Sequence, residues 1–306
     1  MGIGLLSENT LIIISGEISM AINVDNVYVQ TFENNVRHKA QQSSARLRMC
    51  VQEVAVSSEK HNWETMGTNA ASLKSGPRQA TPENDSDWDR RTSITSTYDV
   101  GDTSEQEDIV QMLVDPNSNI TLSLAMAMHR QVDDVVIAAA TGDSRDGDGN
   151  AISFPAGQKV GDGTGVFTFD GVTEVYEKFM DNDIDAGMRK YMVIGPKQLR
   201  KIQQLTEATS SDYNNIKLLA TNGMIQNWMG FDWIVSTRLL NPAAGEISCF
   251  AMTERALGLQ MNRDITTRVA EDPSTSFLWR IYCYMTLGAI RVEDEHIVHW
   301  HLLNSL

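Results

Sequence analysis

Four short stretches combine residue types and spacings that could do chemistry. The first is YMVIGPKQLRKIQQL (191–205), where an apolar strand pattern passes through Gly195-Pro196-Lys197 into a helical one. A glycine turn with a lysine at a helix start is the outline of a phosphate-binding loop. That chemistry needs G-x-x-x-x-G-K-[ST], so that several free backbone N–H groups surround the phosphates. Here a single glycine is present, and Pro196 removes a donor where donors are wanted. Proline at the first helical position is instead a good helix opener. The stretch is a joint between two elements.

The second, GDGTGV (161–166), has glycines at 161, 163 and 165, but a dinucleotide fingerprint wants one at 166 and a following helix, and the residues that follow read as strand. The third, DGDGN (146–150), begins like a calcium loop, yet Ala151 and Gly157 stand where that loop needs Gly and Glu. An ordinary turn fits it better. The fourth, EDEHIVHWH (293–301), places His299 and His301 on one face of a strand and His296 on the other. Two same-face histidines can hold a metal, but no third ligand is spaced to complete the set. No G-x-S-x-G occurs. Neither a catalytic residue, nor a metal ligand, nor a cofactor is expected.

The elements that would position such groups are mixed. DPNSNITLSLAMAMHRQVDDVVIAAATG (115–142) opens on a proline start signal and closes on a glycine, with Leu124, Met128, Val132, Val135 and Ala139 on one helical face. Val172, Val175, Tyr176 and Phe179 mark a second helix, and another is expected near 211–220. VQEVAV (51–56), Phe231–Thr237, SFLWRIYCYMTLGAIRV and HIVHWHLL read as strands. Bulky residues on both faces of the third predict cover on both sides. Val24, Val27, Phe32 and Val36 can line a helix face. The absence of a steady βαβ rhythm gives the class α+β.

Composition narrows the function. The chain has 306 residues, enough for one large core or two smaller ones, and carries 25 basic against 40 acidic residues, a net charge of −15. That sign opposes sequence-specific nucleic-acid binding, although it also serves plain solubility. Cys50, Cys249 and Cys283 form no CxxC pair and fit buried or free thiols. No apolar run approaches the ~20 residues of a membrane span. Residues 1–19 lack a basic start, so they do not read as a signal peptide. Met20 opens a natural-looking start, and Gly16-Glu17 can be encoded as a ribosome-binding signal. Translation from Met20, with 1–19 a mis-assigned leader, is the expectation.

Residues 57–108 lose helical period and become polar, yet hold Trp63, Trp88 and Tyr98. Such aromatics either dock an extended loop on a partner or fold back on their own subunit. Charge divides unevenly as well. Residues 34–52 hold four bases, Arg37, Lys39, Arg46 and Arg48, and no acid, whereas 83–108 holds nine acids and only Arg90 and Arg91 as bases. These are either two solvated faces or, between neighbouring copies, a contact of the arm bases with Asp85, Asp87 or Asp89.

In order, the long helix, YMVIGPKQLRKI, SDYNNIKLLATNGMIQNWMGFDWIVSTRL and LGAIRVEDEHIVHW resemble the major capsid proteins of tailed bacteriophages. The resemblance runs from about Met20 to the end and implies a fold of the Hong Kong 97 type. It implies an N-terminal arm at 20–54, an extended loop at 55–100, a peripheral domain at 101–164 and 271–306, and an axial domain at 165–270. The function implied is self-assembly, as pentamers and hexamers, into an icosahedral head shell around the phage genome. Assembly would take place in the host cytoplasm and the product would be the virion capsid. Further partners implied are a separate scaffolding protein, a portal and, where present, a decoration protein. Trp63, Trp88, Arg90 and Arg91, with the arm bases and loop aspartates, are the inter-subunit candidates. Loop lysines Lys60 and Lys74 lack a matching asparagine and glutamate, so cross-linking is not implied. Two alternatives are an encapsulin-like bacterial shell and, in another class, a motif-poor α/β enzyme.

Overall fold

The computed structural model describes residues 38–78, 83, 85–105, 116–205, 227–275 and 277–305. The leader 1–19, the positions Val24 to Val36, Arg37 and the helix expected near 211–220 lie outside the described residues.

Helix α1 (Pro116–Thr141) is the longest helix among them. Leu124, Met128 and Val132 are buried as expected, but the stripe then departs from the expected positions. Val136, Ile137 and Ala140 are buried, whereas Val135 and Ala139 are only partly so. Steps of four residues advance about 40° around a helix, so the buried line drifts as it climbs. The helix is also covered twice, by a sheet and by the turn Arg48–Cys50, which widens the buried face to include Asp133.

That sheet has four strands in the order β1-β12-β13-β4: β1 (Gln52–Ala55), β4 (Ser96–Ser104), β12 (Leu257–Asp272) and β13 (Leu278–Arg291). Along β13, Ile281, Cys283, Met285 and Leu287 alternate into the core against α1. The opposite face, Tyr282 and Tyr284, is only half-buried, which corrects the expected cover on both sides. Among the described residues one face of this sheet has a helix over it and the other has none. The described part of 55–100 is largely strand. β2 (Lys60–Met66) and β3 (Trp88–Ile94) pair antiparallel as a hairpin, and β4 joins the sheet.

A second sheet runs β7-β14-β11-β8-β10-β9: β7 (Lys159–Val160), β8 (Lys190–Ile194), β9 (Asn227–Trp228), β10 (Phe231–Val235), β11 (Glu246–Thr253) and β14 (Ile297–Leu303). β8 is buried at every residue, as suits a strand flanked by β10 and β11 and covered on both faces. Helix α2 (Phe169–Asp181) buries Val172, Val175 and Phe179, with the Thr168 hydroxyl accepting from Gly171 N–H at its start. Helix α3 (Pro196–Gln204) follows β8 directly, with Gly195 as its cap and Pro196 in its first turn. Between α1 and α2 lies the turn-rich connector, including the two-residue strands β5 (Ser144–Arg145) and β6 (Ala151–Ile152).

Strand pairing joins distant parts of the chain in both sheets. β12 pairs with β13, and β14 crosses back to β11, where Cys249 faces Trp300 and Ala251 faces Val298. Strand partners are set by which buried side chains register across the ladder, and sequence proximity does not fix that.

Candidate functional site

The β2–β3 hairpin leaves the body of the protein, so what fixes its root and what its tip exposes decide what it can do. At the root, Trp63 is only 7% exposed and lies over Gly258, where an added Cβ would stand 2.5 Å from the indole ring. Its Nε1–H donates to Ser93 Oγ at 3.2 Å. Ser93 donates to Gln260 Oε1 at 2.7 Å, and Gln260 Nε2 donates to the Ser58 carbonyl at 2.8 Å. Ser93 and Gln260 are buried, and this chain satisfies their polar groups. Arg91, also buried, reaches Asp294 at 3.1 Å. Asp294 in turn holds Arg291 at 2.5 Å. Arg291 is fully buried, donates to the Gly142 carbonyl beyond the end of α1 and lies over the Phe154 ring at 4.8 Å. A cation at a helix C-terminus also complements the helix dipole.

The tip is different. Beyond Met66 and Trp88, Gly67 N–H donates to the Asp87 carbonyl at 2.8 Å and Asn69 bonds Ser86, while Leu73 is 97% exposed and Trp88 66% exposed. The hairpin is a projecting element with a firm root and a tip that exposes apolar and charged side chains.

The candidate contact residues therefore separate. Trp63 is buried within its own chain, the fold-back outcome of the two the sequence left open. Trp88 is available. Arg90 pairs with Glu64 at 2.5 Å, and Arg91 is committed to Asp294 with Asp89 at 3.5 Å. Arg48 is committed too, to Glu53 at 2.8 Å and Asp264 at 3.0 Å, and these two carboxylates raise its pKa while Arg48 lowers that of Asp264. Arg46 donates its side chain to the Val235 carbonyl, and its backbone N–H to Asp133 at 3.0 Å. Arg46 and Arg48 thus find partners inside their own chain, while Lys39 is exposed. Asp85 and Asp87 stay exposed, and among the described residues neither has an ion-pair partner. Arg37 lies outside the described residues.

Asp133, which sequence reading passed over, is buried and accepts from Gln42 Nε2, Arg46 N–H and Leu47 N–H. The signal was present: an acid in VDDVV, beside the buried line of an apolar helix face. Asp294 and Gln260 gave no comparable signal.

The four chemical-looking stretches make contacts within the chain. Gly195-Pro196-Lys197 is the β8–α3 joint, with Lys197 Nζ donating to the Asn304 carbonyl at 2.8 Å. In DGDGN, the Asp146 carboxylate accepts from the N–H groups of Asp148 and Asn150 and from the Asn150 amide, closing the β5–β6 turn. GDGTGV is a turn beside β14, where Gly163 N–H donates to the His301 carbonyl at 3.3 Å. His301 Nε2 lies 2.8 Å from Glu246, and His296 Nε2 lies 2.9 Å from Glu293. His299 stacks on His301 and meets Phe154 edge-on, and burial pushes its pKa down to about 4. Cys50, Cys249 and Cys283 are free and buried, and burial pushes the Cys249 thiol up to about 12. Among the described residues no group of three or more His, Cys, Asp or Glu is placed to hold a metal, and no helix is long and apolar enough to cross a membrane.

Comparisons with known proteins bear on this arrangement. A model of the family described as phage capsid protein matches residues 24–303. No curated protein sequence matches the chain. The capsid of cyanophage P-SCSP1u superposes with a TM-score of 0.72 at 14% identity, covering 92% of this chain and 95% of that one. The capsid asymmetric unit of cyanophage Pam1 gives 0.71 at 10% identity, covering 94% and 99%. The capsid of a native GTA particle gives 0.67 at 14% identity, covering 93% and 98%. At such identities the shared property is the fold.

Proposed function

The chain belongs to the phage capsid protein family and is a major capsid protein, and on that premise we propose that it builds the icosahedral head shell of a tailed phage as pentamers and hexamers around the genome. The observation that carries this reading is the hairpin. Its root is fixed by a buried hydrogen-bond relay and a buried ion pair, and its tip presents Trp88 and Leu73 to solvent. A lone soluble subunit gains nothing from a rigid projection that ends in exposed apolar side chains, whereas a shell subunit uses it against a neighbour. In this reading α1 with the four-stranded sheet is the peripheral domain, and the six-stranded sheet with α2 and α3 is the axial domain. Residues 20–54 act as an arm. A separate scaffolding protein, a portal and a decoration protein are the further partners, and assembly takes place in the host cytoplasm.

The matching family does not support the encapsulin-like and enzyme readings. Electron microscopy of the purified chain, expressed with and without its scaffolding gene, tests the proposal. Closed shells with five- and six-fold capsomers are expected. Dispersed monomers under both conditions, or shells that retain an enzyme cargo, would overturn it.

A further inference from the structure

The connector from α1 to α2 is tied down at two places. Its first half is held by Arg291, which donates to the carbonyls of Gly142 and Ile152, while Ser144 Oγ donates to the Arg291 carbonyl at 2.8 Å. Its second half lies along β14. There β7 pairs parallel with His299 and Trp300, Gly163 N–H donates to the His301 carbonyl, and Leu303 N–H donates to the Gly165 carbonyl at 2.7 Å. From α2, Lys178 Nζ donates to the Gly157 carbonyl at 2.8 Å. β7 is a two-residue strand at the edge of its sheet, so its departure would break no other ladder.

Phe154 stands where the two halves meet. The Arg291 guanidinium lies 4.8 Å and the Lys159 ammonium 5.8 Å from its ring centroid, and His299 meets it edge-on at 5.7 Å. His299 Nε2 is buried and, among the described residues, has no hydrogen-bond partner. Phe250, opposite His299 on β11, brings a ring without an acceptor. The acids nearby are taken. Glu246 on β11 holds His301 at 2.8 Å, Asp162 accepts from the Thr164 hydroxyl at 2.6 Å, and Asp294 holds Arg291 at 2.5 Å. His299 therefore faces Lys159 on β7, Arg291 across Phe154 and His301 on its own strand. A proton on its ring adds a third cation around one phenyl ring, with Nε2–H shut away from any acceptor. Water can solvate that group only once the stretch beside it lifts away.

We propose that residues 154–165 form an acid-released strap, held on β14 while His299 is neutral and lifted from it when His299 takes a proton. The remaining strands of the six-stranded sheet keep their ladders, and what is lost is the second tie of the segment that joins the two sheets. The direction follows from the charges: a proton disfavours the strapped form, so acid loosens it and neutral pH restores it. Burial, then His301 and Lys159, push the pKa of His299 in the strap down to about 4. A released, solvated ring has about 6.5. The ratio of released to strapped chains is therefore expected to rise by about fiftyfold between pH 7 and 4.5.

Hydrogen exchange on the soluble full-length chain, corrected for the intrinsic pH dependence of the exchange chemistry, tests this. The Gly163 and Leu303 amides close the strap on β14. Between pH 7 and 4.5 they are expected to lose about fiftyfold in protection, and at pH 4.5 to exchange at least about tenfold more readily than the amides of β8 and β11. His299→Phe is expected to remove this response. Lys159→Met is expected to reduce it, since one cation fewer faces the ring; Lys159 is exposed, so this variant keeps the test open where the buried-site variant does not fold. Strap amides that keep their pH 7 protection at pH 4.5, or that exchange in step with β8 and β11 through unfolding of the whole chain, overturn the proposal. So does an unchanged acid response in folded His299→Phe or in Lys159→Met.

Discussion

Arg91 and Asp294, 203 positions apart in the chain, lie 3.1 Å from each other, and Asp294 also holds the fully buried Arg291. One carboxylate thus ties the projecting hairpin to the residue that locks the end of α1. Removing it strands a buried charge, which typically costs about 3 kcal/mol or more. Asp294→Ala is expected to lower the urea midpoint of the soluble subunit accordingly and to expose the hairpin root to protease. An unchanged midpoint would show that Arg291 is satisfied by its carbonyl partners alone.

The two hairpin tryptophans are expected to behave oppositely. Trp63→Ala empties a packed site and should cost the subunit about 3–5 kcal/mol. Trp88→Ala removes an exposed ring, so subunit stability should stay within about 0.5 kcal/mol while shell yield falls. Denaturant titration of the subunit and particle counting separate the two effects. Loss of subunit stability in Trp88→Ala would place that ring inside its own chain.

Asp133 holds the arm to α1 through Gln42, Arg46 and Leu47. In Asp133→Ala the amide of the buried Leu47 loses its acceptor, and leaving such a group unmet costs about 1–3 kcal/mol. Hydrogen exchange at 46–47 should then accelerate by about tenfold to a hundredfold, while β8 and β11 are unaffected. Equal protection in the variant would mean that the turn is held by the burial of Leu47 alone.

His299 supplies an acid dependence. Burial, then His301 and Lys159, depress its folded pKa to about 4 from the ordinary 6.5. The unfolded chain therefore takes up a proton first as the pH falls. The stabilisation is complete above about pH 6.5, declines between there and about pH 4, and is gone below, a span worth about 3 kcal/mol. His299→Phe should flatten this part of the stability profile measured by thermal melting between pH 7 and 4. An identical slope in the variant would assign the acid loss to other groups.

Several elements were legible in the sequence because their cause is local. The Gly195-Pro196 joint depends on the proline ring and its missing N–H. Val172, Val175 and Phe179 mark α2 by helical period alone. The alternation through Trp279, Ile281 and Cys283 marks β13 by a period of two. The order of these elements was enough to reveal the family. Tertiary structure decided which surfaces are spent. Trp63 and Trp88 sit in the same polar segment and look alike in sequence, yet one meets Ser93 and, about two hundred residues away, Gly258, and the other meets solvent. Arg48 and Arg91 read as free charge until their carboxylates arrive from β12 and from the β13–β14 turn. Period and propensity act within a few residues, whereas charge pairing and burial are settled by groups that only the folded chain brings within 3 Å.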